Sequence, residues 1–235
     1  MRHFEEQIQQ LQERLVNMGR LAEAMIQGAL RMLIERNPAL FEDIERKEEE
    51  VNELQIEVDD RAVKLAALQQ PVANDVRLVF MSSRIATELE RIADQAINIG
   101  QNAKHLLSAP PLKPFVDIPI MSEICQTMVR ESLEALIRRD VDLAMQVLKE
   151  EDRVDAFRDQ IFRELLTYMM ADPATIPRAM ALILISRNLE RVGDHATNIA
   201  EEVIYLVQGR DVRHRHETQT RALPAPKPGP RDSGR

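Results

Sequence analysis

Apolar residues recur at helical spacing along most of the chain. Ile8, Leu11, Leu15, Met18, Leu21, Ala22, Met25, Ala29, Met32 and Leu33 step by threes and fours, which predicts one long amphipathic helix over about residues 4–35. Asn37 and Pro38 stop it and start the next, since Asn caps a helix and Pro is tolerated at its first position. A second helix is expected to run to about residue 68, carrying the acidic run Glu48, Glu49, Glu50, Glu53, Glu57, Asp59 and Asp60. Gln70-Pro71 breaks the pattern, and a third helix extends to about residue 107. Three long helices with short connections make an antiparallel bundle.

The proline-rich stretch Ala109-Pro110-Pro111-Leu112-Lys113-Pro114, with a further proline at 119, reads as a semi-rigid connector. The plan then repeats. Helices are expected over about 120–139, from Asp140-Val141-Asp142 to about 170, and, after a turn at 171–177, to about 207, with Gln208-Gly209 as the stop.

The repetition is written into the residues. Glu-Leu-Glu-Arg-Ile-Ala-Asp from Glu88 returns one hundred positions later as Asn-Leu-Glu-Arg-Val-Gly-Asp from Asn188. Around it, Ile85, Leu89, Ile92, Ala96, Ile99, Ala103 and Leu106 form a heptad-like seam, matched by Ile185, Leu189, Val192, Ala196, Ile199, Val203 and Leu206. The expected fold is therefore all-α: two tandem, sequence-related three-helix bundles at 1–108 and 120–209, a connector at 109–119, and a disordered tail at 210–235.

Composition fits this reading. Of 235 residues, 44% are hydrophobic and 3% aromatic, with only seven glycines, a vocabulary of helices. The formal net charge of −8 and the lack of a basic stripe argue against nucleic acid as a partner. The polar N-terminus and the short apolar runs, well below the roughly 20 residues of a membrane span, predict a cytoplasmic chain without direct membrane insertion. Cys125 is the only cysteine, so neither a disulfide frame nor a thiolate metal cage is expected.

The chemistry-bearing candidates are carboxylates. Glu90 and Asp94 stack one turn apart opposite the seam, as do Glu190 and Asp194, and like charges at that spacing repel. Either a flanking arginine, Arg91 or Arg191, or a bound cation has to offset this. The preceding helix of each half adds acids: Asp152 and Asp155 in the second, and Glu49 at the position of Asp152 in the first, where Asn52 replaces Asp155. Carboxylate oxygens converging from two helices suit iron or another divalent metal, while arginine pairing would neutralise the same faces without one. His195 reads as a helix-surface residue. No phosphate-binding glycine loop, nucleophile elbow, His-Glu-x-x-His or Glu-x-x-His motif occurs, and no nucleophile has a matching base, so no catalytic residue is assigned.

Five segments together resemble the PhoU family of phosphate-transport accessory proteins: Gln-Pro-Val-Ala-Asn-Asp-Val-Arg-Leu-Val from Gln70, the two Leu-Glu-Arg-(Ile/Val)-(Ala/Gly)-Asp segments, Thr-Tyr-Met-Met-Ala-Asp-Pro from Thr167, and Tyr-Leu-Val-Gln-Gly-Arg-Asp from Tyr205. The resemblance implies a non-enzymatic negative regulator of phosphate uptake. It would couple a phosphate ABC transporter, through the nucleotide-binding subunit, to a membrane sensor histidine kinase. Apart from the resemblance, a homodimer is expected, since mostly helical molecules with polar clefts often self-associate through one apolar strip. It also implies multinuclear metal on the acidic motifs in some members, which here would fall on Glu90, Asp94, Glu190, Asp194, Asp152 and Asp155. The amide at Asn52 makes the second cluster the stronger cation site. Asp75 and Arg77 match the family's Asp-x-Arg. Two other readings stay open at this point: a metal-dependent enzyme using the carboxylates as an open Lewis-acid site, and a purely structural helical adaptor.

Overall fold

The computed structural model describes residues 2–68, 73–210 and 212. Its helices are α1 (Arg2–Glu35), α2 (Leu40–Leu68), α3 (Ala73–Leu106), α4 (Asp117–Arg138), α5 (Val141–Ala171) and α6 (Ile176–Gln208), with a short 3-10 turn at Pro173–Thr175. The break at Gln70-Pro71 and the tail from 213 onward lie outside the described residues.

Local chemistry accounts for the ends. Asp140 caps α5 by accepting the Leu143 amide at 3.0 Å, and the Asp172 side chain accepts the Ala174 amide at 3.0 Å to start the 3-10 turn. Gly209 closes α6 in the left-handed region, with φ of 66°. Helix α4 begins at Asp117, three residues before the expected start, because Pro119 falls in its first turn, where no amide needs an intrahelical partner.

Both seams are buried along their whole length, from Ile85 to Leu106 and from Ile185 to Leu206. Helices α3 and α6 are buried more widely than one seam requires, because each packs against its own bundle and against the other. They run antiparallel: Arg77 stacks over Tyr205 at 5.9 Å, Arg84 pairs with Glu202 at 3.1 Å, and Glu88 meets His195, so residue numbers rise on one helix as they fall on the other. The two halves therefore share one continuous core instead of standing apart on either side of the connector.

A stripe of small residues lets the remaining helices close in. Gly100 opens onto Phe41 of α2, and Gly193 onto Val154 of α5. Stepping back by sevens puts Ala93 and Ala86, and Ser186, on the same stripes. Between the halves, Gly19 of α1 lies so near α4 that a Cβ there would stand 2.1 Å from Leu133 Cδ1.

That contact generates a prediction. Gly19→Val should lower unfolding free energy by about 1–3 kcal/mol in urea titrations, through overpacking. Combining it with Leu133→Ala should cost clearly less than the sum of the two single changes, because the smaller residue opens the space.

Candidate functional site

In the first bundle the acidic face sits between α2 and α3. Glu48 and Asn52 lie on the half-buried side of α2, flanking buried Val51, and Asn52 Nδ2 donates to Glu48 Oε1 at 2.6 Å. Across from them, burial raises the Glu90 carboxyl, helped by the charges of Asp94 and Glu48 against the opposing pull of Arg91 and His195. Burial and the charge of Glu48 raise Asp94 in the same way, against the opposing pull of His195. Glu49 is exposed, and the α2 charge acting on the motif is that of Glu48, one residue and about 100° round the helix. Among the described residues no cationic side chain reaches into this face to pair with Glu90 or Asp94.

In the second bundle the equivalent face carries a cation of its own. Arg158 of α5 pairs with Asp155 at 3.1 Å, with Asp159 at 2.9 Å and with Glu190 of α6. Its guanidinium lies in a groove of about 540 Å³ whose walls include Glu190, Asp194 and Arg191. Even so, burial pushes Asp194 up to about 6, with further upward contributions from Glu190 and Asp155 against the opposing charges of His195 and Arg158. Asp155 is also raised, chiefly by burial. Asp152 is exposed and reaches the cluster only as a charge one turn from Asp155.

The two faces differ in their charge-bearing residues: Asn52 stands for Asp155 and Ile56 for Asp159, and one further difference supplies the cation. With Val51 aligned on Val154, Gln55 of α2 corresponds to Arg158 of α5. Gln55 donates to Thr87 at 3.5 Å, whereas Arg158 bridges the helices by charge. Sequence reasoning looked to Arg91 and Arg191, in the motif itself. Arg91 instead pairs with Glu88 at 3.4 Å on its own helix. The signal for Arg158 was its spacing, three residues after Asp155 on the same helix face.

His195 is not a surface residue. Its side chain is 16% exposed, and its Nδ1 lies 2.8 Å from Glu88 Oε2, where Asn198 Nδ2 also donates at 3.0 Å. Burial alone would raise Glu88, but these two hydrogen bonds and the charges of His195 and Arg91 outweigh it and hold the carboxyl low. Asp75 sits in the first turn of α3, where the helix dipole favours a carboxylate. Cys125 is fully buried, donates to the Leu189 carbonyl at 3.1 Å and has its thiol pushed up to about 12 by burial and the charge of Asp194, so it is a packing residue and not a nucleophile.

Among the described residues, no three His, Cys, Asp or Glu side chains stand close enough to hold a metal ion as they lie. In the second cluster the donors do not fit a cation while Arg158 remains among them, because its guanidinium takes up the same oxygens. In the first, Glu48, Glu90, Asp94 and the Asn52 amide offer oxygens of the kind a hard cation takes, and burial with the neighbouring carboxylates raises Glu90 and Asp94. Also among the described residues, no helix is long and apolar enough to cross a membrane.

Tandem three-helix bundles fused through their motif helices, each with an acidic inner face, define a class of helical accessory proteins. The PhoU domain family matches the chain twice, over residues 15–103 and 118–203. Curated relatives named "Phosphate-specific transport system accessory protein PhoU homolog" include one from Pseudomonas putida, 37% identical over 90% of this chain and 83% of its own length, and one from Aquifex aeolicus, 38% identical over 92% and 97%. The crystal structure of PhoU from Pseudomonas aeruginosa superposes with a TM-score of 0.84 at 36% identity, covering 88% of this chain and all of that one. The Streptococcus pneumoniae phosphate transport system regulatory protein PhoU shares the fold at 23% identity and a TM-score of 0.81, over 89% of this chain and 99% of that one. The chain belongs to the PhoU family, and it is a regulatory accessory protein, not an enzyme.

The raised carboxyl sets a pH dependence. The fold binds the Asp194 proton more tightly than the unfolded chain does, so stability falls as pH rises from the ordinary Asp value of 3.8 to about 6 and stays lowered above that. Discounted for partial exposure, Asp194→Asn should be more stable than the parent by about 1 kcal/mol at neutral pH. Urea midpoints should nearly coincide for the two proteins in strong acid and separate as pH rises.

Proposed function

We propose that the chain is a cytoplasmic negative regulator of phosphate homeostasis that reports the state of a phosphate ABC transporter, through its nucleotide-binding subunit, to a sensor histidine kinase. The observation that supports this reading is the PhoU match in both halves, with relatives aligned across nearly the whole chain. The outer face of α5 and α6, where Phe162, Leu166, Met170, Met180 and Leu184 are exposed, offers apolar surface for docking a protein partner or a second copy as a homodimer. Removing the gene from a host that carries such a transporter should switch on phosphate-starvation genes in ample phosphate. Unchanged expression would overturn the reading.

Metal enters this reading at the first cluster, with Glu48, Glu90 and Asp94 as the holding side chains. The motivating observation is that positive charge is already supplied to the second cluster by Arg158. A bound divalent cation would supply the same neutralisation between α2 and α3. Elemental analysis of protein purified without chelators should find metal that is lost in Glu90→Ala with Asp94→Ala and kept in Glu190→Ala with Asp194→Ala. Loss from the second variant alone reverses the assignment. Sedimentation of the same wild-type sample reads out the homodimer.

A further inference from the structure

An apolar groove of about 530 Å³ runs along the outer side of the first bundle between α2 and α3, with Ala62, Val63, Ala66, Val79 and Phe80 on its walls and Asp59 at its rim. Val63 is 68% exposed and Phe80 59% exposed. Because α3 and α6 are antiparallel, α6 ends beside this groove. Tyr205 lies under Arg77, a Cβ on Gly209 would meet the Arg77 guanidinium at 3.1 Å, and Val212 packs back on the core. Phe80 and Ser83 also border a second hollow with Arg77 and Tyr205, so the surface is continuous from the point where the chain leaves α6 into the groove.

The first repeat shows how such a trailing segment is handled. After α3, the connector lies across α5 and the start of α6: Leu112 and Phe115 pack on the core, Lys113 pairs with Glu164, and Arg178 Nη1 donates to the Pro110 carbonyl at 3.1 Å. The segment trailing the second repeat has the same make-up, Ala222-Leu223-Pro224-Ala225-Pro226-Lys227-Pro228 against Ala109-Pro110-Pro111-Leu112-Lys113-Pro114. The two-fold relation of the repeats puts α2 and the start of α3 where α5 and the start of α6 are for the connector.

Charge points the same way. Residues 213–235 hold six Lys and Arg against two Asp and Glu, net +4, while the preceding 212 residues hold 25 against 37, net −12. Helix α2, one wall of the groove, carries ten carboxylates against four bases. Ten residues separate Val212 from Leu223, enough for about 35 Å when extended.

We propose that the chain's own segment 222–228 occupies the α2–α3 groove, with Leu223 against Val63 and Phe80 and the tail's basic residues facing the α2 carboxylates.

The chain has no tryptophan, so Phe80→Trp in the full-length protein is a single reporter. A tethered segment acts at an effective concentration on the order of millimolar. With the tail intact, acrylamide quenching should therefore be roughly half that of the same reporter with Leu223→Asp, at every protein concentration. About 1 M salt, where the Debye length is roughly 3 Å, should raise quenching in the tail-intact protein toward the variant's level. Val63→Trp, on the facing wall, must give the same pattern. Equal quenching with and without Leu223→Asp overturns the proposal, and so does protection that grows with protein concentration, which would assign the groove to a second copy.

Discussion

The packing of α3 against α6 is the constraint on which the rest of the structure depends. Each of these helices serves two masters: a seam that holds its own bundle together and a second buried flank that meets the other motif helix. Their antiparallel arrangement brings residues 107 and 110 positions apart into contact, as at Glu88 with His195 and Asn198. A carboxylate at that depth is tolerated because hydrogen bonds and opposite charge offset its desolvation, which makes the clasp a fixed point of the interface and not a surface decoration.

From that axis the acidic faces follow by geometry. Small residues at Gly100 and Gly193 let α2 and α5 lie close to the motif helices, and the same closeness brings carboxylates of two helices to one side. Crowding and burial then raise Glu90, Asp94, Asp155 and Asp194 together. The fold thus concentrates negative charge where it is most expensive, and the two halves respond to that strain differently.

Much of this is legible in the residues alone. The helices, their stops at Asn37-Pro38, Asp140 and Gly209, and both seams follow from periodicity and capping chemistry. The motif carboxylates lie on the face that spacing indicates, beside the acidic helix that precedes them. Three things are not legible, each because it depends on a tertiary choice. Which of Glu48 and Glu49 turns inward is set by where α2 rolls against Gly100. His195 is amphipathic by type, and only the approach of the other bundle places it beside Glu88. Arg158 pairs across helices as well as along its own, and one-dimensional spacing sees only the latter.

The exchange of Gln55 for Arg158 between the repeats gives the molecule an internal reference. Two faces of the same architecture meet the same solvent, yet one carries a counter-charge on its own Arg158 side chain while the other has a neutral glutamine at that position. A change in the ionic surroundings therefore acts unequally on the halves. Because the halves share one core, these unequally charged faces belong to a single packed unit.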